Sequence, residues 1–139
     1  MTRMVYSTER AVTVDQYIGL LQASGLASRR PVQDRQAVAD MLRHAHLLAT
    51  AWEGERLVGA ARTLTDFSYV AYLADLAVDE AWQRRGVGRG LIEATRSALG
   101  PKAWLVLLAA PAAQEYYPRI GFERHPSAWT LRGEDSLAP

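Results

Sequence analysis

The segment that decides the fold runs from Val78 to Leu91 and reads VDEAWQRRGVGRGL. An apolar, strand-like run precedes it, and apolar residues at helical spacing follow it, so it joins the end of a strand to the start of a helix. Glycines let the backbone turn tightly and expose successive N–H groups, and a helix N-terminus carries partial positive charge. The segment therefore predicts a backbone cradle for a diphosphate, with Arg84, Arg85 and Arg89 adding charge at its rim.

Glycine spacing argues against two other phosphate-binding loops. The dinucleotide fingerprint G-x-G-x-x-G needs a third glycine where this chain has Leu91, after Gly86 and Gly88. A nucleoside-triphosphate loop needs Gly-Lys-Ser/Thr, and the only lysine of the chain is Lys102. The remaining alternative to a diphosphate cradle is an ordinary helix start whose arginines are merely solvated.

The elements around this segment predict a mixed sheet. A strand over 69–78, a helix that stops at Gly100-Pro101 and an apolar strand over 103–109, covered on both faces, form a βαβ unit with parallel strands. The other predicted strands lie at 5–6, 47–52, 56–64 and 128–131, the second and third forming a hairpin.

Three shorter helices complete the expected α/β fold. Thr13 and Gln16 form a capping box that opens the first helix, which Gly25 ends. Pro31 suits the first position of the second, and the third spans about 111–117. We expect one domain over residues 1–132 and a flexible tail over 133–139.

Composition restricts the class of function. The chain has 139 residues, 49% of them hydrophobic, and a formal net charge of +1, which gives no field that favours nucleic acid or an anionic membrane. It has no cysteine, which excludes thiolate catalysis and cysteine-ligated metals. The first residues lack the apolar core of a signal peptide, and no run approaches the ~18 apolar residues of a membrane span. We therefore expect a cytoplasmic protein.

Two motifs resemble the GNAT superfamily of acyl-CoA-dependent N-acetyltransferases. The run QRRGVG at 83–88 matches the family's Gln/Arg-x-x-Gly-x-Gly/Ala coenzyme loop, and LAV at 76–78 is similar to the end of its central strand. The run YPRIGF at 117–122 is similar to the family's Tyr-x-x-x-Gly-Phe close. The order of helices and strands also fits, so the resemblance covers nearly the whole chain.

The resemblance implies an acetyl-CoA cofactor and a splayed sheet of six or seven strands with helices on both faces. The fourth and fifth strands would separate around 76–78 and 104–107 to admit the pantetheine arm, and the pyrophosphate would lie on the amides from Gln83 to Gly88. The implied cofactor-binding residues are Leu76, Ala77, Val78, Gln83, Arg84, Arg85, Gly86, Val87, Gly88, Arg89 and Gly90.

Acetyl transfer to an amine requires a proton donor for the departing thiolate and a base for the protonated amine. Tyr117, at the family's tyrosine position, is the predicted donor, although the adjacent Tyr116 could exchange roles with it and Pro118 disfavours helical geometry at Tyr117. Asp75 is the predicted base, because an acid among apolar strand residues has a raised pKa. The alternative for Asp75 is a carboxylate bonded to backbone amides at the end of the strand.

Other base and metal candidates are weaker. Tyr72 and His46 are secondary candidates for the base. His44 and His46 lack a third ligand at metal spacing, so we expect no metal site. Many relatives carry an asparagine where this chain has Ala110, which indicates an apolar acceptor side.

The resulting hypothesis is a transferase that moves an acetyl group from acetyl-CoA to the amine of a small molecule by direct attack, as a monomer or homodimer. The alternatives are a non-catalytic acyl-CoA-binding module and a protein or peptide N-acetyltransferase. A weaker resemblance to arylalkylamine acetyltransferases, including the plant serotonin type, favours an aromatic amine. The predicted acceptor pocket is rimmed by residues 24–31 and 65–69, with aromatic surface from Tyr6, Trp52, Phe67, Tyr69 and Tyr72.

Overall fold

The described residues form a mixed sheet of five strands. The computed structural model describes residues 3–139, and the strands follow one another in the sheet in chain order. They are β1 (Met4–Ser7), β2 (Leu47–Glu53), β3 (Arg56–Thr65), β4 (Val70–Val78) and β5 (Trp104–Val106). The α-helices are α1 (Val14–Ser24), α2 (Arg35–Arg43), α3 (Val87–Ser97) and α4 (Tyr116–Arg119).

The chain divides into two compact units. The first ends at Leu108 and holds the sheet with α1, α2 and α3. The second spans Ala109–Pro139 and holds a 3₁₀ turn at Pro111–Ala113 followed by α4. The single domain expected over residues 1–132 stays a prediction.

The predicted βαβ unit is confirmed. Strands β1 to β4 are antiparallel neighbours, and β5 pairs in parallel with β4 after the crossover through α3. This last pairing is short, because Val70–Tyr72 meet Trp104–Val106 and no further pair follows. The rest of β4 is therefore paired with β3 alone.

Helices cover both faces of the sheet, as expected. On one face, Tyr17 and Leu21 of α1 and Val38 of α2 pack in a core cluster with Trp52 and Ala60.

On the other face α3 lies close to β3. A Cβ atom at Gly59 would come within 2.9 Å of Leu91 and 3.1 Å of Val87. The absence of a side chain at Gly59 therefore lets α3 approach the sheet.

The predicted helix starts are partly confirmed. The Thr13 capping box is present, and Gly25 ends α1 in the left-handed conformation with φ of 83°. The second helix begins at Arg35 instead of Pro31, because the Asp34 side chain accepts a hydrogen bond from the Ala37 amide at 3.0 Å and caps the helix there.

The prediction of six or seven strands is not confirmed. Residues 128–131 form no strand, and Trp129 is 92% exposed, so no burial favours pairing there. The run 103–109 gives only three strand residues, and Trp104 and Val106 are 61% and 41% exposed. The expectation of a strand covered on both faces is wrong, because Trp104 and Val106 lie on one face of β5 and that face is exposed.

None of the helices between residues 3 and 139 is long and apolar enough to cross a membrane.

The close approach of α3 to β3 predicts that Gly59→Ala is destabilising. The new methyl group would clash with the buried Leu91 side chain, so we expect the free energy of unfolding to fall by about 1–3 kcal/mol. Gly19→Ala is the matched control, because Gly19 lies on the exposed side of α1 with no atom within 4 Å of the added Cβ. That change should stabilise by about 0.5–1 kcal/mol in denaturant unfolding. Equal effects of the two changes would contradict the packing described.

Candidate functional site

The turn that leads into α3, residues 83–90, presents backbone amides that the helix does not use. Gly86 is the N-cap residue, with φ of 82° and no side-chain cap. The first intrahelical bond runs from the Gly90 amide to the Gly86 carbonyl at 3.0 Å. The amides of Val87, Gly88 and Arg89 therefore precede the hydrogen-bonded part of α3 and point toward its N-terminal end. This arrangement can bind an anion, as predicted from the sequence.

Side chains of this α3 turn have separate structural contacts. Gln83 Nε2 donates to the Val78 carbonyl at 2.9 Å and holds the turn against the end of β4. Arg85 lies over the ring of Trp82, and Arg89 pairs with Glu93 at 3.2 Å.

The remaining residues of the turn fix its shape. Arg84 adopts a positive φ of 63°, which places it in the left-handed region, and its side chain is exposed. Val87 is buried against the sheet. A Cβ atom at Gly90 would lie 2.5 Å from the Tyr6 ring, so Tyr6 packs directly on the start of α3.

The second feature is an open edge on β4, residues 73–78, beyond the end of its pairing with β5. The Asp79 amide donates to the Val58 carbonyl of β3 at 2.9 Å. Because an antiparallel ladder alternates, the backbone groups of Ala77 face β3, whereas those of Leu76 and Val78 face the open edge. The expected separation of the fourth and fifth strands is therefore present on β4 at 76–78. It is wrong for residues 104–106, because Trp104–Val106 pair with Val70–Tyr72.

Side chains donate hydrogen bonds to the carbonyl groups at both ends of this open edge. Arg30 Nη2 donates to the Ala74 carbonyl at 2.7 Å, and Gln83 donates to the Val78 carbonyl. Between them, neither the amide nor the carbonyl of Leu76 has a partner on this side among residues 3–139. Unpaired backbone groups are costly when water is excluded, so a ligand with amide groups would complete the edge.

Asp75 lies on β4 beside the open edge, at the centre of a buried polar cluster. Its carboxylate accepts hydrogen bonds from the Tyr17 hydroxyl, Arg30 Nε and Arg62 Nε, each at 2.6 Å. We call these four residues the Asp75 cluster. It joins α1, the loop before α2, β3 and β4, and Asp75 itself is 1% exposed.

The expected raised pKa of Asp75 is wrong. Burial acts to raise the pKa of the carboxyl group, but hydrogen bonds from Arg62 and Tyr17, the charge of Arg62 and the hydrogen bond from Arg30 outweigh it and lower the pKa. Burial and the nearby carboxylate raise the pKa of Tyr17, which keeps this hydroxyl a donor. Uptake of a proton by Asp75 during a reaction stays a prediction.

Sequence reasoning missed Tyr17, Arg30 and Arg62 as members of this cluster. A signal was present for Arg62, since it is a charge in the middle of an otherwise apolar stretch, as is Asp75 in the next strand. A buried charge needs a partner, and hairpin register places these two opposite each other. Nothing in the local sequence indicated the long reach of Arg30, 45 residues away in the chain.

Tyr117 lies in the second unit. It is part of α4, so Pro118 does not exclude it from a helix. Its ring contacts Tyr116 and Phe122 edge-on, and the Phe122 amide donates to the Tyr117 carbonyl at 3.1 Å. Burial, with a smaller contribution from Tyr116, raises the pKa of Tyr117 to about 12. The phenol is therefore protonated at neutral pH, as a proton donor must be.

Other candidate residues are dispersed. His46 Nδ1 accepts a hydrogen bond from the Thr65 amide at 2.8 Å and holds a turn. Trp52 is 1% exposed and belongs to the core, so it supplies no pocket surface. Tyr6 lies on β1, at the far side of the sheet from β4. Of the predicted acceptor aromatics, only Phe67, Tyr69 and Tyr72 are exposed together around the start of β4.

Comparison with known proteins gives a consistent result. A family model described as an acetyltransferase (GNAT) domain matches residues 22–133. Over 76 residues the chain is 34% identical to a Glycine max protein named Histone acetyltransferase TAP1, covering 53% of this chain and 33% of that relative. The chain thus spans about a third of the length of the curated relatives it matches.

Solved structures share the fold. A probable acetyltransferase from meticillin-resistant Staphylococcus aureus matches with a TM-score of 0.74 and 22% identity, over 95% of this chain and 98% of that chain. AAC(6')-Iy, solved with the bisubstrate analogue CoA-S-monomethyl-acetylneamine, matches with a TM-score of 0.69 and 19% identity, over 94% and 98%.

The Asp75 cluster predicts a large stability loss for Asp75→Asn. Removing the charge leaves Arg62, whose side chain is 10% exposed, without its carboxylate, so the free energy of unfolding should fall by about 3–5 kcal/mol near pH 7. Because folding lowers the pKa of Asp75, its contribution is full above an unfolded pKa of about 3.9 and is lost as pH falls through the folded value. The difference in the free energy of unfolding between the unchanged chain and Asp75→Asn should therefore become smaller as the pH falls.

The control for this change is Asp15→Asn. Asp15 also pairs with an arginine, but its side chain is 80% exposed. Its loss should cost no more than about 1 kcal/mol in urea unfolding. A loss at Asp75 no larger than at Asp15 would contradict the cluster.

Proposed function

Because the chain belongs to the GNAT acetyltransferase family, we propose that it transfers an acetyl group from acetyl-CoA, the cofactor of this family, to the amine of a small molecule. The observation that carries the proposal is that the open edge of β4 and the α3 turn lie at the two ends of one short connection, Asp79–Gly86. An extended ligand with amides at one end and a diphosphate at the other fits both features.

Two parts of the first unit would hold acetyl-CoA. The amides of Val87, Gly88 and Arg89 would bind the pyrophosphate, with exposed arginines of the α3 turn at its rim. The free backbone groups of Leu76 and the amide of Val78 would pair with amides of the pantetheine arm. Gln83 contributes indirectly, since it fixes the connection between these two parts.

Acetyl-CoA supplies an activated acetyl thioester, and the chain's own residues handle protons. Tyr117 is the proposed proton donor, and its raised pKa supports this role. Asp75 remains the proposed proton acceptor, either directly or through water, although its three hydrogen bonds oppose proton uptake. Because the chain has no cysteine, direct attack by the amine is favoured over an acyl-cysteine route.

The proposed acceptor is a compact amine with an aromatic or apolar group. Support comes from the exposed aromatics Phe67, Tyr69 and Tyr72 and from Ala110 in place of a polar residue. The bisubstrate analogue bound to AAC(6')-Iy, CoA-S-monomethyl-acetylneamine, also supports a small-molecule acceptor. A peptide acceptor is the second candidate, favoured by the name of the Glycine max relative. Cytoplasmic location and oligomeric state remain predictions.

The coenzyme site predicts that Gly88→Glu weakens binding of acetyl-CoA. A carboxylate at the start of α3 would repel the diphosphate and occupy its space, at a cost of about 2 kcal/mol or more, which is a roughly 30-fold weaker affinity. Ser97→Glu is the matched control, because it adds the same charge at the other end of α3. If calorimetry finds that Gly88→Glu binds acetyl-CoA with unchanged affinity, the pyrophosphate does not bind at this turn.

The donor role predicts a loss of turnover in Tyr117→Phe. Removing the hydroxyl should lower kcat by about 10²-fold at neutral pH, with little change in the affinity for acetyl-CoA. Tyr116→Phe is the control and should keep nearly full activity. Loss of activity in Tyr116→Phe alone would assign the role to the neighbour, and full activity in both variants would exclude both phenols.

The acceptor proposal is tested by a coupled assay for free thiol. We expect a higher kcat/KM for phenethylamine and tryptamine than for spermidine or a lysine peptide, at the same acetyl-CoA concentration. Polyamines need several carboxylates along a groove, and the acids of the predicted acceptor region are Asp66 and the already paired Asp75. Greater efficiency with spermidine or the peptide would reject the small aromatic acceptor and leave acetyl transfer intact.

A further inference from the structure

Arg30 lies at the inner end of the open edge of β4, which is the end next to Tyr72 and the pairing with β5. Its guanidinium group donates to the Ala74 carbonyl at 2.7 Å, to Asp75 Oδ1 at 2.6 Å and to the Arg29 carbonyl at 2.8 Å. The side chain is 22% exposed, so it is held between the loop and the strand. Three hydrogen bonds in different directions fix the guanidinium group in one place.

The sheet itself closes just beyond this point. Tyr72 pairs with Val106, the last pair between β4 and β5 on the side of the open edge. The distance along β4 from Tyr72 to Val78 is about 20 Å at the usual rise per strand residue. Its inner part, next to Tyr72, is where Arg30 covers the backbone carbonyl of Ala74.

The direction of a bound acyl-CoA follows from the α3 turn. A diphosphate at this turn lies beyond Val78, at the outer end of β4, so the pantetheine arm extends from there toward Tyr72. The acyl group is the far end of the arm and therefore approaches the inner end, where the Arg30 guanidinium lies.

We propose that Arg30 is a specificity-determining residue that restricts the enzyme to short acyl groups. This inference rests on the proposed function. A longer chain has two ways to fit, and both are unfavourable. It can bury methylene groups against a charged guanidinium, or it can displace Arg30 and leave the Ala74 carbonyl without its hydrogen bond. An apolar pocket would instead gain affinity with each methylene group.

The test is calorimetric binding of acetyl-CoA, butyryl-CoA and hexanoyl-CoA to the full chain without an acceptor. The intact chain should bind hexanoyl-CoA about tenfold more weakly than acetyl-CoA, the scale of one displaced hydrogen bond to a charged group. This first measurement needs no variant, so it tests the inference even if a variant fails to fold.

Two variants then assign the effect to Arg30. In Arg30→Ala, which leaves Asp75 its bonds from Tyr17 and Arg62, the preference for acetyl-CoA over hexanoyl-CoA should shrink at least fivefold, by loss of the same hydrogen bonds. Arg29→Ala is the matched control, because Arg29 is the exposed neighbour and contributes only its backbone carbonyl. Its preference should equal that of the intact chain.

The outcomes separate the two proposals. If none of the thioesters binds, the proposed function fails and the inference fails with it. If acetyl-CoA binds but hexanoyl-CoA binds equally well, the acyl limit is wrong and the proposed function stands. If the preference survives in folded Arg30→Ala, or is lost equally in Arg29→Ala, another residue sets the limit.

Discussion

The buried carboxylate of Asp75 is the interaction on which the first unit depends. Removing a carboxylate from water costs several kcal/mol, and three donors from three different segments are needed to offset that cost. Tyr17 thereby fixes α1, Arg62 fixes β3, and Arg30 fixes the loop before α2. Because Arg30 also bonds to the Ala74 carbonyl, the same cluster sets the inner boundary of the open edge of β4. The same contacts therefore neutralise the buried carboxylate and determine the shape of the proposed site.

The outer boundary of the site, at the start of α3, depends on two glycines instead of a charged cluster. Gly59 lets α3 approach β3, and Gly86 adopts the left-handed conformation at the N-cap of α3, where the short connection from β4 ends. These two glycines fix the backbone amides at the start of α3 relative to the open edge of β4. Neither feature uses a charged side chain for its geometry, which explains how a chain with a net charge of +1 can present a site for a polyanion.

Local signals in the sequence predicted most of the fold around the site. The glycine-rich turn, the Thr13 capping box and the β2–β3 hairpin follow from short-range rules, and the structure confirms each. The failures need longer-range information. Residues 128–131 have strand propensity but no paired partner in the structure, and the pKa of Asp75 depends on arginines distant in the chain. The apolar neighbours of Asp75 in the sequence therefore gave the wrong direction for its pKa, because its hydrogen-bond donors come from other elements.

The binding of the cofactor along the open edge of β4 is tested most directly by an amide NMR titration of the full chain with coenzyme A. If coenzyme A completes the open edge, the largest shifts fall on two groups, the amides of Val87, Gly88 and Arg89 at the start of α3 and those of Leu76 and Val78 on β4. Ala77 lies between the two β4 residues, but its amide is bonded to β3 and should shift less. Shifts concentrated elsewhere, or on Ala77 as strongly as on Leu76 and Val78, would contradict a cofactor that completes the open edge.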